Sequence, residues 1–188
     1  MLNCFFKSTL VLGLVFVMVS CQSESYPKPK AQLRLDYSNP EYVLSNTACN
    51  FEFDLNTIAT LVPKNDCAYQ IEYPKMKATI YLSYKKVNGD IDLLLKDAQK
   101  LTYEHVIKAD DIIEQPFINT ENKVYGMFYL VGGNAATNTQ FYVTDSTKNL
   151  VVGSAYFYAK PNFDSILPAV DYIKSDMRAI MESFKWKN

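Results

Sequence analysis

Residues Val124 to Val131 carry apolar or aromatic side chains on both alternating sets, Val124, Phe128 and Leu130 on one and Tyr125, Met127 and Tyr129 on the other. Successive residues of a strand point to opposite faces of a sheet, so a strand of this kind does not belong in a sheet with one wet face. Both faces need cover, and helices are the elements that supply it. This one segment restricts the chain to a sheet held between helices.

The rest of the periodicity agrees. Period-two segments at Leu33–Tyr37, Phe51–Leu55, Tyr69–Tyr73 and Ala78–Tyr84 read as early strands, and Val124–Val131, Thr139–Thr144 and Leu150–Tyr158 read as later ones. Asp145-Ser146-Thr147-Lys148-Asn149 is turn chemistry joining the last two. Between the two sets, Asn88-Gly89-Asp90 breaks the pattern and Asp90 is a plausible N-cap for a helix with the stripe Ile91, Leu94, Leu95, Ala98 and Leu101. A second helix carries Ile166, Val170, Ile173, Met177, Ile180, Met181 and Phe184 at helical spacing. Pro168 falls in its first turn if the helix starts at Asp164 or Ser165, and Lys185 and Lys187 fall at its C-terminal end. The expected fold class is α+β, an antiparallel β-sheet covered by helices. In element order this α/β/α sandwich looks like the PsbP and Mog1 type, an analogy that carries no function.

The N-terminus sets the compartment. Lys7 precedes the apolar or small run Leu10 to Val19, which ends at Ser20 and Cys21. A membrane-spanning helix needs about 20 apolar residues, so this shorter run against a small residue reads as a secretory signal over residues 1–20. Met18-Val19-Ser20-Cys21 resembles the lipobox of bacterial lipoproteins. That resemblance implies cleavage after Ser20 and acylation of Cys21 by diacylglycerol and a further fatty acyl chain such as palmitate, and several chains anchor a protein firmly. The polar, proline-bearing stretch Gln22 to Lys30 favours extended geometry and reads as a tether over residues 21–30. Residues 31–188 then form one globular domain. With Cys4 in the signal and Cys21 lipidated, Cys49 and Cys67 remain in an oxidising compartment, where a disulfide between them is the natural expectation and two buried thiols the alternative.

Composition narrows the chemistry. Lys and Arg number 19 against 20 Asp and Glu, which gives no electrostatic reason to bind nucleic acid. His105 is the single histidine, so a site built on two imidazoles is excluded. The sequence has no phosphate-loop, dinucleotide, Cys-x-x-Cys, His-Glu-x-x-His or nucleophile-elbow motif. No cofactor and no metal is implied. His105 beside Glu104 has the makings of a general base held by a carboxylate, but at the edge of the first helix's stripe it reads more simply as a half-buried structural residue. Asp110, Asp111 and Glu114 read as a solvated helix end; their spacing lacks the ligand alternation of a calcium loop. The Gly132-Gly133-Asn134 loop, running to Asn138, is the most permissive backbone and serves as a connector or as a place where a ligand approaches closely. Lys75, Lys77, Lys85 and Lys86 flank an early strand, as headgroup contacts or as edge charges.

Three blocks, Tyr73 to Leu82, Asp97 to Phe117 and Gln140 to Thr147, resemble the gliding motility lipoprotein GldD family, and the likeness runs from the Tyr26-Pro27-Lys28-Pro29 tether to Ser183-Phe184-Lys185-Trp186. The resemblance implies a lipid-anchored envelope protein that partners other gliding motility and type IX secretion components. No catalytic residue comes with it. Glu24 is the only acidic residue close behind Cys21, which places the domain in the periplasm. The expected role is non-catalytic and structural. The alternative is a periplasmic ligand-binding module or an enzyme for a cell-wall or lipid-derived substrate, working near His105 or the Gly132 to Asn138 loop.

Overall fold

The computed structural model describes residues 37–103, 109–133, 139–158 and 163–187. The signal, Ser20, Cys21, the tether, most of the strand expected at Leu33–Tyr37, and Glu104, His105 and Asn134 lie outside them. Contacts divide the chain into Met1–Ala31 and Gln32–Asn188, and all the described residues belong to the second unit.

Its elements, in chain order, are β1 Tyr42–Leu44, β2 Phe51–Glu52, β3 Asp54–Asn56, β4 Thr60–Pro63, β5 Tyr69–Tyr73, β6 Ala78–Lys86, α1 Ile91–Tyr103, β7 Ala109–Asn119, β8 Val124–Gly133, β9 Thr139–Thr144, β10 Asn149–Phe157, α2 Phe163–Ser183 and β11 Lys185–Trp186. Seven strands form one sheet in the order β4-β5-β6-β10-β9-β8-β7, and every neighbouring pair is antiparallel. The fold is α+β. Two-stranded ribbons, β1 with β3 and β2 with β11, complete it.

Side-chain alternation sorts the sheet into two faces. Ile71, Ile80, Leu82, Phe128, Phe141, Val143, Val151 and Ala155 pack in one buried cluster with Ile173, Met177, Ile180 and Met181 of α2. Each large apolar side chain buried there contributes roughly 1.5–3 kcal/mol. Gly153 leaves room for the Phe141 ring, with which a Cβ would collide. On the other face lie Tyr129 and Val131, both buried, and α1, whose Thr102 hydroxyl donates to Gln140 at 3.2 Å. Both sides of β8 are therefore covered, as its doubly apolar pattern requires.

The N-terminal segment is tied to the C-terminal one by aromatic stacking. Phe51 lies 5.3 Å from Phe184, which meets Trp186 at 4.9 Å, both distances between ring centroids. Lys185 pairs with Glu52 and Trp186 with Phe51. Cys49 and Cys67 are joined by a disulfide with Cα atoms 5.8 Å apart. The β1–β3 ribbon is held to α2 by Asp176, 1% exposed, which accepts hydrogen bonds from Tyr42 and from Asn56 Nδ2, each at 2.7 Å. Burial raises the pKa of this carboxyl, and the hydrogen bonds oppose the rise.

Several readings need correction. Asp110, Asp111 and Glu114 are not a helix end: α1 stops at Tyr103, and all three lie in β7. The adjacent pairs Ile112-Ile113 and Phe117-Ile118 hide the period of two. Phe51–Leu55 is not one strand; it breaks at Phe53 so that β2 joins β11 and β3 joins β1. Lys185 is not on a helix end but in β11, and the Lys187 ammonium donates to the Thr47 carbonyl at 2.7 Å. Pro168 stands inside α2, past its first turn.

The β9–β10 turn is organised by one carboxylate. Asp145 Oδ1 accepts the backbone N–H groups of Thr147, Lys148 and Asn149 at 2.9, 2.7 and 2.9 Å, while Ser146 takes a left-handed φ of 65°. Partial burial acts to raise its pKa, but these donors outweigh it and hold the carboxyl below its ordinary value. Asp145→Ala should cost about 1–2 kcal/mol in urea unfolding near pH 7. Because the folded-state pKa is lowered, the contribution is present above the unfolded pKa and lost as pH falls through the folded one. The gap between wild type and variant should therefore narrow between about pH 5 and pH 2.

Candidate functional site

A concavity among the described residues lies where α1 leaves the sheet uncovered. From β6 come Tyr81, Ser83 and Lys85; from β10, Leu150, Val152, Ser154 and Tyr156, followed by Tyr158; from α1, Leu94, Asp97 and Ala98. These strand residues share one face because β6 and β10 pair with Tyr81 opposite Ser154 and Ser83 opposite Val152. Toward its C-terminal end α1 turns to other strands, with Thr102 on Gln140 of β9 and the Tyr103 hydroxyl bonded to Glu114 of β7. The space beside it is a groove of about 600 Å³, within the size range of ligand pockets.

Its wall is phenolic. The rings of Tyr81 and Tyr156 meet edge-on at 5.5 Å between centroids, and the hydroxyls of Tyr81 and Tyr158 are 2.6 Å apart. Hydrogen bonds with Thr79 and Tyr81 hold the Tyr158 phenol below its ordinary pKa. The bond to Tyr158, and then burial, push Tyr81 up to about 12. Either hydroxyl can donate in this bond, and Tyr158 lies at the rim, 64% exposed. The floor and sides are mainly aliphatic, with the Ser83 and Ser154 hydroxyls between them and Lys85 and Asp97 as the charged groups. Such a surface favours an apolar or aromatic occupant oriented by a few hydrogen bonds.

Asp110, Asp111, Gly132 and Gly133, singled out from the sequence, gather elsewhere. Ala109 pairs with Gly133 and Ile112 with Val131, so Asp110 and Asp111 together face Gly132 across a β-bulge. A Cβ at Gly132 would meet the end of the exposed Asp111 side chain, which could turn aside. Strands β9 and β8 separate this edge from the groove strands β6 and β10. Among the described residues no three His, Cys, Asp or Glu side chains converge to hold a metal ion. The lysines do not form one patch either: Lys75 and Lys77 precede β6 and Lys85 and Lys86 end it, about 25 Å apart along the strand. Lining residues of the groove were missed because their convergence depends on pairing β6 with β10, some seventy residues apart in sequence. The available signal was a shared alternation of Tyr and Ser, at Tyr81 and Ser83 and at Ser154 and Tyr156.

The sequence matches the family model described as gliding motility lipoprotein GldD over residues 22–186. The chain belongs to the GldD family. No curated protein matches it. In this GldD-family chain the matched span begins one residue after Cys21 and contains the whole groove and the disulfide. No helix among the described residues is long and apolar enough to cross a membrane.

Removing the Tyr81 hydroxyl tests the phenol pair. In Tyr81→Phe, Tyr158 loses a hydrogen bond that lowers its pKa and should titrate at higher pH than in wild type. Difference absorbance of phenolate, with Tyr158→Phe as the reference, reads this; an unmoved Tyr158 titration rules out Tyr81 as a cause of the lowering.

Proposed function

We propose that the chain is a lipid-anchored, periplasm-facing component of the gliding motility machinery, linked to type IX secretion, and that it acts as a non-catalytic structural or assembly protein. The observation that carries this reading is the family match over residues 22–186, which starts directly behind the lipobox Met18-Val19-Ser20-Cys21. In it, residues 1–20 are removed after Ser20, Cys21 carries the lipid, residues 21–30 are the tether and residues 31–188 are the working domain. The seven-stranded antiparallel sheet with α1 on one face and α2 on the other supports grouping the fold with the PsbP and Mog1 type. The aliphatic and phenolic groove supports an assembly role, since it suits burial against another molecule better than proton transfer.

A second reading, a periplasmic module for a cell-wall or lipid-derived ligand, is favoured by the volume of that same groove. Crosslinking in living cells followed by purification separates the two. The wild-type lipoprotein should recover motility or secretion proteins, and Cys21→Ala, which accepts no lipid, should lose them. If the wild type recovers none and the purified domain instead retains a small molecule, the assembly role falls and the ligand module stands.

A further inference from the structure

The two edges of the seven-stranded sheet are built differently. β4 is four residues long and ends in Pro63, a short edge of the kind that discourages further pairing. β7, at the other edge, has eleven residues and, among the described residues, pairs with β8 alone. Its bulge is confined to Asp110 and Asp111, and from Ile112 to Asn119 the register is continuous.

The open edge is also apolar on both sides. Ile113 shares a strand face with Gln115 and Phe117, whose contacts lie toward α2, and is 48% exposed. Ile118 shares the opposite face with Glu114, which meets Tyr103 of α1, and is 71% exposed. Pro116 fixes the phase of the backbone. A proline on an edge strand keeps its nitrogen away from the neighbouring strand, so Ile112, Glu114 and Ile118, in phase with it, turn their N–H groups outward. An incoming strand loses one bond at Pro116 and makes the others.

Charge states what that strand is. Ala109–Asn119 contains Asp110, Asp111 and Glu114 and no Lys or Arg, whereas guarded edges commonly carry lysine. Among the described residues Arg178 bonds Gln115, lies 4.6 Å from the Phe128 ring centroid and 4.0 Å from Glu182, and Lys123 follows in the turn to β8; Lys108, directly before the strand, lies outside the described residues. Antiparallel pairing with a second copy centred on Glu114 sets like charges opposite one another, which is destabilising. A basic strand makes favourable cross-strand pairs instead.

We propose that β7 is a docking strand, and that its open edge takes up an extended basic segment of a partner protein. This deepens the assembly role and rests on it, naming the surface through which the partner is held. Amide hydrogen exchange on the detergent-solubilised lipoprotein, resolved by residue, tests it. The probe is a peptide of about ten residues alternating Lys and Val, with one alternating Glu and Val as control. The Lys-Val peptide should slow exchange at Ile112, Glu114 and Ile118 by about tenfold and leave the already paired amides between them unchanged. The control should do nothing. Glu114→Lys, at an exposed position, should weaken the Lys-Val effect, and Ile118→Lys should weaken it independently. No slowing at these three amides, equal slowing by both peptides, or slowing at β4 overturns the proposal. Slowing that grows with protein concentration without peptide assigns the edge to a second copy and overturns it too. If the pull-down of the lipid-anchored form still recovers motility proteins while β7 stays unprotected, the docking strand is retired and the assembly role survives.

Discussion

The pairing of β6 with β10 joins two otherwise local structures. β4, β5 and β6 form one meander and β7 to β10 another, and each could be assembled from neighbours in sequence. Only the nine-residue ladder between Ala78–Lys86 and Asn149–Phe157 makes them one sheet. α2 depends on it, because its buried residues rest on side chains from both meanders, Ile71 and Ile80 on one side and Phe128, Phe141 and Val143 on the other. The groove depends on it as well, since its floor is the seam itself.

The seam also explains where small residues occur. Ala78, Gly153 and Ala155 lie on the α2 face of β6 and β10, and Gly153 admits the Phe141 ring. Ser83 and Ser154 lie on the other face. Small side chains let α2 and its aromatic neighbours approach closely on one side and leave a hollow on the other. Close packing and the groove are two results of the same choice of residues.

Much of this was legible from residue order. β5 alternates cleanly, and the doubly apolar β8 implied cover on both faces before any pairing was known. β7 was hidden, because adjacent isoleucines, a proline and three acids break the alternation that marks a half-buried strand. The ribbons were hidden for another reason. β1, β2, β3 and β11 are two or three residues long and are strands only by virtue of distant partners, as with Phe51 and Trp186. The candidate site suffered in the same way: its acids and glycines were visible one by one, but the bulge that brings Asp111 against Gly132 is a property of two paired strands.

The β2–β11 ribbon has a consequence for biosynthesis. A chain is made from its N-terminus, so Phe51 and Phe53 emerge long before Phe184 and Trp186, the rings against which they stack. Until those last residues arrive the first aromatic cluster has no lid, and β6 equally has no β10. Completion of the core therefore waits until Phe184 and Trp186 have been made, and the earlier part of the polypeptide stays pliable until then. The Cys49–Cys67 crosslink closes a span of only 18 residues and needs no late segment, so it can secure the early end of the molecule while the remainder is still awaited.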